Sequence, residues 1–251
     1  MRDRLVVCVF MESGLLPRLG AGGKWLLVVA APVEGRAVLQ GVGIERGGNP
    51  PVRWQATSIG NRLDLVVTGV GKANAAAGLA RVFNPVAHRG VLSVGLGGVL
   101  PGGGVTTGDV VLASVSIYAD EGLISPDGFL NIADMGFAPS QDGPGIAAVG
   151  IAGTSWAVEA LTPCARTVGP VATVSTCAGT DDQARSIVER TSAVVEAMEG
   201  AAVGFTTQRL GGGEVAFAEL RVVSNSTGDR ERQTWDLTEG LSRLRDLVAL
   251  L

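Results

Sequence analysis

From Trp25 to the C-terminus, short runs of aliphatic and β-branched residues alternate with segments whose apolar positions recur every three or four residues. The short runs predict strands at Leu26–Ala31, Leu63–Thr68, Val91–Gly95, Asp109–Val115, Val171–Thr176, Ala193–Met198 and Leu220–Ser224. Helical periodicity falls between them. Ala75–Phe83 places Ala76, Leu79, Val82 and Phe83 on one face. Asp181–Arg190 follows the capping-box pattern Thr180-x-x-Gln183 and buries Ala184, Ile187 and Val188. The last segment carries Leu237, Leu241, Leu244, Val248 and Leu251, a spacing that makes one apolar stripe. Strands alternating with helices predict an α/β sheet.

Glycine punctuates this pattern. Leu19-Gly20-Ala21-Gly22-Gly23 sets residues 1–24 apart as an N-terminal extension with a flexible junction, leaving 25–251 as the main domain. The glycine-rich stretches 95–104 and 211–213 are expected to be loops.

Composition narrows the function classes. A chain of 251 residues with 46% hydrophobic content fits one α/β domain, and 18% charged residues are too few for a disordered chain. A net charge of −4 argues against a nucleic-acid partner, which needs a basic face. His88 is the only histidine, so no multi-histidine metal site is expected, and its setting in Asn84–Gly90 predicts a surface turn. Cys8, Cys164 and Cys177 lack the spacing of a zinc site or a disulfide framework. No apolar run reaches the roughly 18 residues of a membrane span. Leu5–Met11 is short and lacks a small-residue cleavage site, so a soluble, cytoplasmic chain is expected.

Four places have the look of chemistry. Gly69-Val70-Gly71 lies between a strand and a helix, but Asn74 replaces the third glycine of a dinucleotide fingerprint, and Gly71-Lys72-Ala73 lacks the Ser or Thr of a phosphate loop. These glycines, like Gly95-Leu96-Gly97-Gly98, either permit a tight turn or let a ligand approach the backbone. In Val195-Glu196-Ala197-Met198-Glu199-Gly200-Ala201 a strand ends on an acid where a helix begins. A carboxylate there either complements the helix dipole or accepts from two adjacent hydroxyls, as a ribose diol demands. Val222-Val223-Ser224-Asn225 ends another strand on a group that both donates and accepts, or on an ordinary turn residue. Val28-Val29-Ala30-Ala31-Pro32-Val33-Glu34 runs a strand into an acid at a helix start.

In this order and spacing, these segments resemble the nucleoside phosphorylase and methylthioadenosine nucleosidase superfamily, most closely its futalosine hydrolase branch of menaquinone biosynthesis. Pro126-Asp127-Gly128-Phe129-Leu130 and Gly228-Asp229-Arg230-Glu231-Arg232-x-x-Trp235 add to the likeness, which covers residues 25–251. The resemblance implies a single-domain, three-layer α/β fold with a central twisted mixed sheet. It also implies hydrolysis of a purine nucleoside without a cofactor, in a homo-oligomer.

Residue by residue, it implies that Glu34 is the catalytic acid/base and that Glu199, beside Met198, binds ribose. Asn225 falls where adenosine-type nucleosidases carry Asp. Its amide can donate to N7 or to a 6-oxo group, so hypoxanthine is expected over adenine. Gly97 and Gly98 are candidate substrate contacts. Phe129 and Phe137 line the pocket or belong to the core, and Arg230 and Arg232 bind a substrate carboxylate or sit on a solvated turn. Glu12, which follows Leu5–Phe10, competes with Glu34, but Pro17 leaves it almost no helix. The rivals are a phosphorylase, which needs a cationic clamp, a methylthioadenosine or adenosylhomocysteine nucleosidase, which Asn225 disfavours, and a non-catalytic nucleoside sensor.

Overall fold

The computed structural model describes residues 19, 22–44, 51–140 and 145–251. Cys8 and Glu12 lie outside the described residues, as does most of the expected extension. Leu19 lies within that extension, and its side chain is buried against the core.

The chain runs β1 (Lys24–Val29), α1 (Pro32–Gly41), β2 (Thr57–Ser58), β3 (Leu63–Val67), α2 (Lys72–Val82), β4 (His88–Val99) and β5 (Val110–Tyr118). It continues through β6 (Gly122–Ser125), β7 (Gly128–Asn131), α3 (Ile146–Val149), β8 (Gly150–Ala152), α4 (Ser155–Leu161) and β9 (Thr167–Thr173). It ends with α5 (Asp181–Thr191), β10 (Val195–Ala197), α6 (Gly200–Gly211), β11 (Ala216–Ser226) and α7 (Leu237–Val248). The main sheet has the order β10-β9-β5-β11-β4-β1-β3-β2. β10 also pairs antiparallel with β4, so five strands close into a ring from which β1, β3 and β2 extend. β1, β3, β4 and β11 are mutually parallel, while β5 runs antiparallel to β11, making the sheet mixed.

Alternation along β1 builds the three layers. Trp25, Leu27 and Val29 face α1 and α7, where Val38, Leu244 and Val248 complete one core. Leu26 and Val28 face α2 and α6, where Ala75, Leu79, Ala201 and Val203 complete the other. A strand covered on both sides must be apolar throughout, which is why it reads as a continuous run.

Several expectations need correction. Gly95–Val99 belongs to β4 rather than to a loop, and its ladder pairs Gly95 with Arg221 and Gly98 with Asn225. The missing side chains leave room for groups from neighbouring elements, not for a turn. His88 is buried at the start of β4. Its Nδ1 accepts from the Asn84 amide at 3.1 Å, so Nε2 carries the proton and donates to Asp64 at 3.2 Å. The ring also stacks on Phe83. Leu237 does not join the apolar stripe of α7; it stands 48% exposed at the helix start, and Leu247 is buried instead. β6 and β7 form a separate hairpin turning through Pro126 and Asp127, where the apolar pattern predicts no strand although Pro126-Asp127-Gly128 between two apolar pairs is a turn signal. Thr180 caps α5 as expected, accepting from the Gln183 amide at 3.2 Å.

Candidate active site

The carboxyl ends of β1, β4 and β11 meet the end of β10 around a cavity of about 440 Å³. Glu34, Gly97, Gly98, Met198, Glu199, Asn225 and Arg230 all line it, so the fold gathers seven of the eight expected site residues. Phe129 is the exception. It lines a second cavity, of about 450 Å³, where the Arg190 guanidinium lies 4.2 Å from its ring centroid. The reason is topological: Phe129 sits on the β6–β7 hairpin, outside the main sheet. Phe137 is 68% exposed and lines neither cavity.

Glu34 is held by local geometry. Pro32 opens α1, and the carboxylate folds back over the helix start, where Oε2 accepts from the Ala31 amide at 2.8 Å and the Ala30 amide at 3.1 Å. Its Oε1 accepts from the Leu96 amide at 2.9 Å, locking it to β4. Burial raises its pKa above the ordinary carboxylate value and neighbouring Glu199 adds to the rise; the amides and Arg221 oppose it. The outcome is a buried, immobilised carboxyl group poised to exchange a proton.

Glu199 stands at the residue before α6, without capping it through its side chain, and is 6% exposed. One oxygen accepts from the Gly71 amide at 3.0 Å and the other from the Arg221 guanidinium at 3.3 Å. Gly71 has φ of 94°, a conformation only glycine adopts without strain. The turn and the approach to the site are therefore one feature: the left-handed backbone aims its N–H at the carboxylate.

Sequence reasoning missed the group beneath these acids. Arg221 is 2% exposed and donates through Nε to Glu219 at 2.7 Å and through a terminal nitrogen to Ser93 Oγ at 2.9 Å. Glu219 is wholly buried, and the Ser116 hydroxyl donates to its other oxygen. One guanidinium thus stands between two carboxylates. The signal was present in Ala218-Glu219-Leu220-Arg221-Val222, where charges two residues apart on an apolar strand share one face.

The Asn225 amide is oriented by its own strand. Its Oδ1 accepts from Ser224 Oγ at 2.9 Å, and one N–H goes to the Ser226 carbonyl at 3.0 Å. Its second N–H has no partner among the described residues. A bridge between Asn225 and Trp235 brings the following loop across the cavity, where Arg230 lies 4.9 Å from the indole centroid. Gln233 secures that loop by donating to the Ala178 and Gly228 carbonyls and accepting from Arg230 and Trp235. Arg232 instead pairs with Asp181 and Asp229 on the surface, the solvated-turn alternative. Lys72 pairs with Asp120 and Glu121.

Residues 54–250 match the model of the phosphorylase superfamily. The chain is 35% identical to a futalosine hydrolase of Acidothermus cellulolyticus, over 91% of this chain and 90% of that protein. It is 36% identical to a futalosine hydrolase of Streptomyces coelicolor, over 75% and 77% of the two chains. Its fold is similar to that of the 5'-methylthioadenosine/S-adenosylhomocysteine nucleosidase of Neisseria meningitidis, solved with methylthio-immucillin-A. The TM-score is 0.67 at 19% identity, covering 90% of this chain and 97% of that one. The Helicobacter pylori nucleosidase gives a TM-score of 0.65 at 18% identity, over 92% and 96%. A buried acid pair beside a strand-end asparagine, on this fold and with these relatives, places the chain in the phosphorylase superfamily and, within it, in the futalosine hydrolase family.

Proposed function

We propose that this enzyme hydrolyses the N-glycosidic bond of futalosine, releasing hypoxanthine and dehypoxanthine futalosine for menaquinone biosynthesis. The observation that carries the reading is the convergence of Glu34, Glu199 and Asn225 on one cavity. Cleavage of C1′–N9 sends the bonding electrons to the purine and leaves positive charge on the ribose, as in glycoside hydrolysis. The free N–H of Asn225 stabilises the departing base at N7. Glu199 accepts from the ribose hydroxyls and sets its negative charge near the developing cation. Water adds to C1′ as Glu34 takes its proton, a contribution worth on the order of 10²–10⁴-fold.

Water rather than phosphate is favoured by the charges. Arg221, the buried cation next to the site, is already matched by Glu219 and Glu199. Arg230 is the cation on the cavity wall, at its exposed side; laid over Trp235, it is placed to receive the carboxylate of the substrate's aryl end. Met198, Gly97 and Gly98 complete the nucleoside contacts. We assign the enzyme to the cytoplasm as a homo-oligomer on the strength of the family resemblance. Among the described residues no helix is long and apolar enough to cross a membrane.

The test is chromatography after incubation with futalosine, inosine or methylthioadenosine, with and without phosphate. Hypoxanthine release from futalosine without phosphate is expected. Release only with phosphate would make the enzyme a phosphorylase, and adenine release from methylthioadenosine would overturn the reading of Asn225.

A further inference from the structure

One buried acid in the cavity has no role in this mechanism. Glu196 is 4% exposed and lines the cavity with the residues above. We propose that Glu196 reads the N1–H of a 6-oxopurine and thereby sets the preference for hypoxanthine over adenine; this rests on the nucleosidase reading and extends it.

The sheet register supports the placement. Gly98 of β4 pairs with Glu196 of β10 on one side and with Asn225 of β11 on the other. Residues paired across a regular ladder project to the same face, so the Glu196 side chain lies on the face to which a Cβ at Gly98 would point. The register of β11 shifts between Val223 and Asn225, and the Asn225 amide reaches that same face from the other side. Gly98 leaves the space between them bare. A Cβ there would lie 2.8 Å from Asn225 Nδ2, so a side chain at this position would crowd the asparagine amide. A planar base entering this space would meet an amide from one strand and a carboxylate from the other.

Hydrogen-bond capacity then selects the base. Among the described residues Glu196 accepts from a single group, the Ala178 amide, at 3.0 and 3.1 Å to its two oxygens. In its ionised form the carboxyl group has about four acceptor sites and no donor, so it has capacity for a further N–H. With Asn225 donating to N7 or O6, the neighbouring Watson–Crick edge of hypoxanthine, on the other side of O6, presents N1–H, a donor. Adenine presents a bare N1, whose lone pair would face the carboxylate. Sites that hydrogen-bond a substrate N–H reject analogues lacking it by up to about 10⁴–10⁵-fold. Burial, with Asp120 nearby, holds the Glu196 pKa up at about 7, so a donor supplied by the base would favour its ionised form.

The experiment pairs binding with turnover. Hypoxanthine, 1-methylhypoxanthine and adenine are titrated into the unaltered protein by calorimetry, and kcat/KM is measured for futalosine and its 6-amino analogue with the wild type and Glu196→Gln. Hypoxanthine should bind at least about 100-fold more tightly than the other two bases, as expected for a lost polar partner. Glu196→Gln offers an amide N–H to N1, so the ratio of futalosine to 6-amino kcat/KM should fall at least about 100-fold. Equal binding of the three bases would overturn the assignment, as would a variant that lowers both substrates by one factor, the result of a merely structural role. Selective hypoxanthine binding without futalosine cleavage would instead sink the functional reading and leave the assignment of Glu196 standing.

Discussion

Glu34→Gln separates charge from shape at the water-activating position. The carboxylate accepts three backbone N–H groups, from Ala30, Ala31 and Leu96. A glutamine retains the first two by keeping its carbonyl oxygen over the helix start, which turns its NH₂ toward the Leu96 N–H. One hydrogen bond is lost and a donor faces a donor, costing about 1–3 kcal/mol of stability. Relief of burying a charge offsets part of this, so the variant should fold with a modestly lowered Tm. Catalysis should fall further: without a base, kcat/KM drops about 10²–10⁴-fold. The pH profile is the sharper test. The wild-type base works ionised and burial raises its pKa, so kcat/KM should climb with pH along an acidic limb displaced upward from the ordinary carboxylate range. Glu34→Gln should remove the limb due to Glu34 and leave only what Glu196, with its pKa of about 7, contributes. A variant within about tenfold of wild type, still showing the limb, would refute the assignment of Glu34 as base.

The remaining predictions concern the support of the site. Glu219→Gln leaves Arg221 with Glu199 as its one anionic partner in direct contact, and urea denaturation should show a loss of about 3 kcal/mol, the low end for breaking a buried pair; a loss below about 1 kcal/mol would mean the pair is not structurally coupled. Gly95→Ala places a Cβ 2.7 Å from Glu34 Oε1 and 2.9 Å from Arg221, so it should cost about 1–3 kcal/mol by overpacking and lower kcat/KM at least tenfold, approximately, in a steady-state assay. Glu196 binds its proton more tightly folded than unfolded, since burial raises its pKa from 4.5 to about 7. The native state therefore holds more protons in that window, and this residue's contribution to stability falls as pH rises through it. Glu196→Gln should flatten that dependence in denaturation curves measured from pH 4.5 to about 7; an unchanged slope would remove Glu196 as its source.

Periodicity alone places the seven main strands, the helix after Gly71, the helix capped by Thr180 and the final helix, because each signal is local: alternation, a cap, or a stripe. The acids Glu34 and Glu199 are legible for the same reason, each standing where a strand gives way to a helix. What the sequence could not determine depends on which strands become neighbours. Gly95–Val99 reads as a loop until Arg221 and Asn225 are known to lie across the ladder from it, and only then is the absence of side chains explained by the groups occupying their space. His88 looks like a turn residue until the fold brings Asp64 to its ring and Phe83 against its face. Phe129 shares a sequence signature with the site, yet its hairpin folds apart from the main sheet and carries it to a different cavity. Arg221 takes its meaning from Glu219 two residues away but also from Glu199 and Ser93, 22 and 128 residues distant. Local pattern fixes where a residue can point; long-range strand pairing, which carries no local signal, decides what it meets.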